Sequence, residues 1–253
     1  MHSLSCFEGH YPIKTLYTDN EAWQRCKGWQ DADLRKAALQ DYLHVPLKQV
    51  IYAQETHSSS VFAVSSKTVK TPAASGKTCV KAPSGEYDAL VTDVSGILLC
   101  VWTADCLPLF LYDTVKHVVA VAHSGWRGIL SGIVPNTIRA MAECFGSDPE
   151  HIIAGFGPGI CGKCYVVSKD LYEAFSERFF PDEIEDLFLP QPNEKYLLDL
   201  RMAIKFDLCR EGIRLEEICD TMLCSYESDA YASYRGNGFT EPIRQTLSGI
   251  VLL

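Results

Sequence analysis

The chain has 253 residues, 47% hydrophobic and 22% charged, with a formal charge of −9, the balance of a globular protein with one large core or two halves sharing one. That charge excludes nucleic acid as a main partner, because no basic stripe stands ready for a phosphate backbone, while phosphorylated small molecules remain open. No apolar run approaches the ~20 residues of a membrane span, and Met1-His-Ser-Leu-Ser-Cys6 lacks the basic and apolar parts of a signal peptide. The sequence therefore reads as cytoplasmic, with no membrane partner.

In chain order, residues 1–20 alternate weakly and predict an edge hairpin. Asn20-Glu-Ala-Trp23 has the look of a helix start, and 31–43 predicts a helix with apolar positions Leu34, Ala37, Ala38 and Leu43. Residues 50–54 predict a strand running into Glu55-Thr-His-Ser58, and 61–64 another. The stretch 67–81, rich in Thr, Ala, Ser, Gly and Lys, predicts a polar connection. Asp88-Ala-Leu-Val-Thr-Asp93 leads into three apolar runs, 97–102, 109–112 and 117–122. Thr103-Ala-Asp-Cys-Leu-Pro108 separates the first two, and His123-Ser-Gly-Trp-Arg-Gly128 follows the third.

Beyond this centre, 129–145 predicts a helix that begins or kinks at Pro135 and is ended by Gly146. Residues 152–156 predict a strand entering Gly157-Pro-Gly159. An amphipathic helix is expected at 168–179, an acidic connection at 181–193, and a helix at 197–211 with Gly212 as its cap. A strand at 218–224, a turn at 233–238 and a closing strand at 250–253 complete the chain. Strands and helices mixed without regular β-α alternation predict the α+β class: layered mixed sheets flanked by helices in a single domain spanning 1–253.

Eleven cysteines are scattered without a regular framework. Cys100, Cys144, Cys209 and Cys219 lie within apolar patterns and read as small buried hydrophobes. Cys161-Gly-Lys-Cys164 is formally C-x-x-C. With no second such pair to complete a zinc ribbon, it reads as a loop feature.

The chemistry concentrates at strand ends, where a rigid scaffold opens into loops. Three ligands drawn from His57, Cys106 and His123 would suit zinc, or copper as the softer alternative, and leave a fourth position for water or substrate. The same residues support two other readings. Cys106 and His123 can form a nucleophile and base with Asp105 or another carboxylate orienting the imidazole, or Cys106 can simply be buried. Ser124 to Gly128 offers small residues ahead of a helix, where backbone N–H groups can approach an anion. Arg127 there either clamps phosphate or carboxylate or pairs with an internal acid. Trp126, Phe156, Tyr165 and Tyr234 are candidates for stacking on a flat base.

Together, Asp88-Ala-Leu-Val-Thr-Asp93, Ala104-Asp-Cys-Leu-Pro108, Ala122-His-Ser-Gly-Trp-Arg-Gly128 and Gly157-Pro-Gly-Ile160 resemble the YfiH, or laccase-domain, family in order and spacing. Tyr196-Leu-Leu-Asp-Leu200, Gly212-Ile213 and Ser233-Tyr-Arg235 extend the resemblance across about residues 50–253, with 1–49 as a variable N-terminal part. The resemblance implies a zinc-dependent purine nucleoside phosphorylase with adenosine deaminase and methylthioadenosine phosphorylase side activities. Purine nucleosides and phosphate would be its small-molecule partners, and the chain a monomer or homodimer. It places the metal ligands on His57, Cys106 and His123. Asp105 is then expected to assist proton transfer, and Arg127, Ser124, Arg235 and Arg244 to bind substrate or phosphate. The rival functions are a copper polyphenol oxidase and a metal-free Cys/His hydrolase editing cell-wall precursors. A non-enzymatic binding domain is a third. Three departures bear on substrate range: no Arg-Gly-Gly stretch stands near the N-terminus, Val166 replaces a family glutamate, and the terminal Thr-Gly-Arg is spread into Thr240-Glu-Pro-Ile-Arg244.

Overall fold

The structure, a computed structural model, describes residues 1–7, 9–25, 32–65, 79–81, 86–239 and 244–253. Two sheets stack at its centre. One has six strands in the order Ile218–Asp220, Ile152–Phe156, Leu107–Asp113, Val118–Ser124, Ala89–Thr92 and Val61–Val64. The other has five: Ile13–Tyr17, Thr246–Leu252, Ile97–Thr103, Gln49–Tyr52 and Cys79–Lys81. A small third sheet, Val166–Ser168, Lys195–Leu198 and Phe188–Gln191, lies outside them. Both large sheets mix parallel and antiparallel pairs, and the class is the α+β layering expected from the sequence.

The layers follow from a period of two in strands that are apolar on both faces. In Leu107–Asp113, Leu107, Leu109 and Leu111 face a core shared with the helices Ile133–Phe145 and Leu200–Arg210. Phe110 and Tyr112 face the other way, into the space between the sheets, where they meet Leu99, Val101 and Ile250. Leu98 and Cys100 point from the five-stranded sheet onto its outer face, against Leu39 and Leu43 of the helix Ala32–Leu43. The order is helix, sheet, sheet, helices. Burying each of these large side chains contributes roughly 1.5–3 kcal/mol. No helix among the described residues is long and apolar enough to cross a membrane.

Several local expectations are corrected. Residues 1–20 hold one edge strand, Ile13–Tyr17, paired with the chain's last strand rather than with a hairpin partner; His2 only bridges to Tyr17. The helix Asn20–Arg25 is capped one residue earlier than expected, by Asp19 Oδ1 accepting from Ala22 N. In Ala32–Leu43 the buried positions are Leu39 and Leu43, while Leu34 is 61% exposed; Asp31 lies outside the described residues, as do 67–78 of the polar connection. Its end, Cys79–Lys81, is a strand beside Gln49–Tyr52.

The helix expected at 129–145 is two, Trp126–Leu130 and Ile133–Phe145, broken where Gly132 adopts φ +85°. Pro135 does not cause the break: it sits in the first turn of the second helix, where its missing N–H is not needed. The helix at 168–179 is shortened to Lys169–Ser176. The acidic connection at 181–193 contains the helix Pro181–Leu187, with Asp182, Glu185 and Asp186 exposed, Glu183 paired with Arg210, and Ile184 and Leu187 buried, followed by Phe188–Gln191. Residues 195–198 are strand, and the next helix starts only at Leu200, because the Asp199 carboxylate accepts from Arg201 N and Met202 N and caps it there. The strand at 218–224 ends at Asp220. Of the four cysteines read as buried hydrophobes, Cys100 is buried and Cys144 and Cys209 are exposed. Cys219 instead forms a disulfide with Cys6, 213 residues away.

Candidate active site

Residues 104–106 carry the chain from the five-stranded sheet to the six-stranded one. Asp105 makes that crossing in the left-handed region, φ +83°, a conformation that persists only where its surroundings over-determine it. They do so here. Its carboxylate accepts from Ser225 Oγ at 2.7 Å and Arg235 N at 2.7 Å, and its carbonyl from Ile160 N at 2.9 Å. The next residue, Cys106, is thereby held at the sheet end. His123, the penultimate residue of Val118–Ser124, pairs with Pro108 in the adjacent strand. His57 arrives from the loop after Gln49–Tyr52, also left-handed at φ +62°.

Asp88 joins these pieces. It is fully buried. One oxygen accepts from His57 N at 3.0 Å and lies 2.8 Å from His123 Nδ1. The other accepts from Ser58 N and Oγ, each at 2.7 Å, and from Thr56 N at 3.2 Å. Burial alone would raise this carboxyl, but the hydrogen bonds from His123 and Ser58 hold it below its ordinary value. With Nδ1 turned to Asp88, His123 offers Nε2 to the cluster, the carboxylate–histidine pairing that orients metal ligands.

The side chains of His57, Cys106 and His123 each offer one ligand atom, all within 4.8 Å of one another. Cys106 Sγ is 4.0 Å from His57 Nε2, and the imidazole rings meet edge to face at 4.9 Å. Ligand atoms around a tetrahedral zinc lie about 3.3–3.8 Å apart, so a small inward closure of the three side chains would complete the site. One thiolate and two imidazoles suit zinc or copper. The chemistry of the donor set fits a metal, and a Cβ on Gly125 would lie 2.8 Å from Cys106 Sγ and 3.1 Å from His57 Cδ2, so glycine keeps the pocket open. Burial opposes ionisation of Cys106, yet the charge of His123 and hydrogen bonds from both histidines outweigh it and bring the thiol down to about 6. Burial likewise disfavours imidazolium at His123, but the Cys106 thiolate and Asp88 push it up to about 10.

Around this cluster, Tyr165 lies under the Arg235 guanidinium, 4.9 Å from ring centre to Cζ. Burial and the nearby Cys106 push its phenol up to about 12, against the opposing charges of Arg235 and Arg127. Arg127 is exposed, stacked on half-buried Trp126 at 4.1 Å. Arg235 Nη1 donates to Val166 O at 2.6 Å, so Val166 contributes its backbone here. Ser124 is buried, and its hydroxyl has no hydrogen-bond partner among the described residues. Arg244 is exposed, and among the described residues no hydrogen bond or ion pair joins it to the cluster. Of the stacking candidates, Phe156 is core and Tyr234 is exposed, edge-on to Phe239.

Residues 30–243 match the family described as multi-copper polyphenol oxidoreductase laccase. The chain belongs to this family. Among its relatives, the Bacillus subtilis protein named purine nucleoside phosphorylase YlmD is 31% identical over 83% of this chain and 75% of its own. A protein named adenosine deaminase RL5, from an unknown prokaryotic organism, is 30% identical over 82% and 77%. The crystal structure of Bacillus licheniformis hypothetical protein YfiH superposes with a TM-score of 0.75 at 27% identity, covering 88% of this chain and 80% of that one. YfiH-type proteins thus share the fold as well as the family.

Two residues of the site carry no role in the sequence reading. Asp88 opens a strand that is otherwise apolar, and an acid fixed at the buried end of such a run is the signal that could have flagged it. Glu55 is the other: its carboxylate accepts from Trp102 N at 2.7 Å, and burial pushes it up from its ordinary value.

Proposed function

We propose that the protein is a zinc-dependent purine nucleoside phosphorylase, with adenosine deaminase and methylthioadenosine phosphorylase side activities, in which His57, Cys106 and His123 hold the metal. The observation that carries this reading is the convergence of three donor atoms, with His123 Nε2 aimed inward by Asp88; the names of the relatives supply the reaction class. A zinc ion held there would supply Lewis-acid polarisation beside the substrate.

The rest falls to the chain's own groups. In phosphorolysis an oxygen of phosphate bonds C1′ of the ribose as the C1′–N bond breaks, its electron pair leaves with the purine, and a proton from solvent joins the base. Charge builds on the leaving purine and falls on the phosphate, so fixed donors matter more than a strong nucleophile. Arg127, with no carboxylate partner among the described residues, binds the phosphate, and Arg235 supports it from beside Tyr165. Tyr165 keeps its proton and donates a hydrogen bond to sugar or base. Asp105 has both oxygens engaged by Ser225 and Arg235 and positions Cys106 rather than carrying a proton.

The lowered Cys106 thiol beside His123 also favours a second reading, a metal-free cysteine hydrolase. The test is metal content together with phosphate-dependent release of adenine from adenosine, wild type against His57→Ala. Loss of one zinc per chain together with turnover supports the phosphorylase. Turnover and metal content both unchanged in His57→Ala establish the hydrolase.

A further inference from the structure

Cys161-Gly-Lys-Cys164 lacks a second C-x-x-C in the sequence, but the fold supplies another pair in Cys224-Ser-Tyr-Glu227. One ligand atom from each of Cys161, Cys164, Cys224 and Glu227 lies within 4.8 Å of the other three. Cys161 Sγ is 4.0 Å from Glu227 Oε2. We propose that these four residues bind a second metal ion, a structural zinc, separate from the His57, Cys106, His123 site.

The chemistry and the scaffold agree. Three sulfurs and a carboxylate oxygen form a closed tetrahedral set with no position left for substrate, the pattern of a structural rather than a catalytic zinc. The donors come as two short turns, each spanning two ligands three residues apart. The first is closed by Cys164 N donating to Cys161 O at 3.0 Å. Cys161 N donates to Cys224 Sγ at 3.4 Å, the amide-to-sulfur contact that suits a thiolate ligand. Lys163, exposed within the first turn, adds a cation beside a site rich in negative charge.

The frame is already rigid. Gly159 and Cys224 form a parallel bridge, with Gly159 N donating to Leu223 O and Ser225 N to Gly159 O. Buried Arg201 reaches the carbonyls of both Gly159 and Leu223 and pairs with Asp220 at 2.5 Å. A Cβ on Gly162 would lie 2.8 Å from Asp199 Cβ, so the first turn is pressed against the cap of the helix Leu200–Arg210. On binding, each thiol gives its proton to solvent as its sulfur bonds the metal. No electron transfer is needed.

The role follows from what the turns carry. Ser225, between two of the ligands, donates to the Asp105 carboxylate, and the loop beyond delivers Arg235 to the other oxygen. The zinc therefore fastens the C-terminal loop to the Gly157–Tyr165 segment and steadies the wall against which Cys106 is set.

The test counts metal under reducing conditions in Cys106→Ala, which removes the first site. About one equivalent of zinc per chain should remain, and cobalt substitution should give intense thiolate-to-metal charge-transfer absorption. Adding Cys164→Ser should remove both. Should that variant fail to fold, Glu227→Ala, altering an exposed side chain, decides: it should weaken retention against a chelator at least tenfold, and Glu227→Cys should restore it. A metal-free Cys106→Ala protein, a Cys161–Cys164 disulfide in its place, or zinc indifferent to both Cys164→Ser and Glu227→Ala overturns the proposal.

Discussion

Two cysteine-bearing clusters among the described residues are built in opposite ways. Cys106 and His123 sit at the ends of core strands and His57 in a loop beside them, with a buried carboxylate behind and one side left open by Gly125. Cys161, Cys164, Cys224 and Glu227 lie in turns and close on one another with four donors. Three ligands on a stiff scaffold leave room for a reactant, whereas four on two turns leave none and serve to tie segments together. The contrast separates the part of the molecule that would do chemistry from the part that would hold it in place.

The largest expected effect is that of Cys106→Ala. It should abolish nucleoside turnover and remove the metal of the open site; a variant still turning over adenosine at the wild-type rate would end the three-ligand reading. Asp88→Asn comes next. It keeps the shape but supplies donors where His57, Ser58 and Thr56 already donate. Metal affinity should fall about 10–100-fold, measured by competition with a chromophoric chelator, while the closed site keeps its ion. Gly125→Ala places a methyl against Cys106 and His57 and should cost about tenfold in kcat/KM, with global stability changed far less. Arg127→Ala should raise the KM for phosphate about tenfold and leave that for nucleoside nearly unchanged, as expected for an exposed anion contact.

The smallest effect sharpens the electrostatics. The Cys106 thiol is lowered to about 6, so in metal-free protein its alkylation rate should be on a plateau at pH 8 and fall as protonation proceeds below about pH 6. Zinc at the open site should suppress the reaction. Alkylation with a midpoint near that of an ordinary thiol would show that the histidines do not act on Cys106 as described.

Much of the central scaffold was legible because its strands are apolar on both faces, as Leu107–Asp113 and Val118–Ser124 show, and because Cys106 and His123 stand where those runs meet loops. The helix Pro181–Leu187 was obscured by its own acids, since only Ile184 and Leu187 mark its inner face. Leu197 and Leu198 read as helix because nothing in an apolar run reveals that Asp199 will cap the next turn. Asp88 could be placed on a strand end, but its service to two histidines depends on His123, 35 residues away. The C-x-x-C at Cys161 looked incomplete for the same reason: its complement at Cys224 is 63 residues on, and only the parallel bridge at Gly159 brings it near. Contacts made by tertiary pairing leave no local pattern.

The Cys6–Cys219 link turns most of the chain into a covalent ring. A single backbone cut anywhere inside it leaves both pieces on one molecule, which keeps its mass on a gel until reductant is added. The tail from Asp220 onward lies outside the ring. It carries Cys224, Glu227 and Arg235, and ends in a strand inserted between Ile13–Tyr17 and Ile97–Thr103. A cut just after Cys219 therefore yields a fragment with no bond to the remainder. Whether that fragment washes away or stays seated reports how tightly hydrogen bonds, packing and a metal clasp together grip the last segment of the protein.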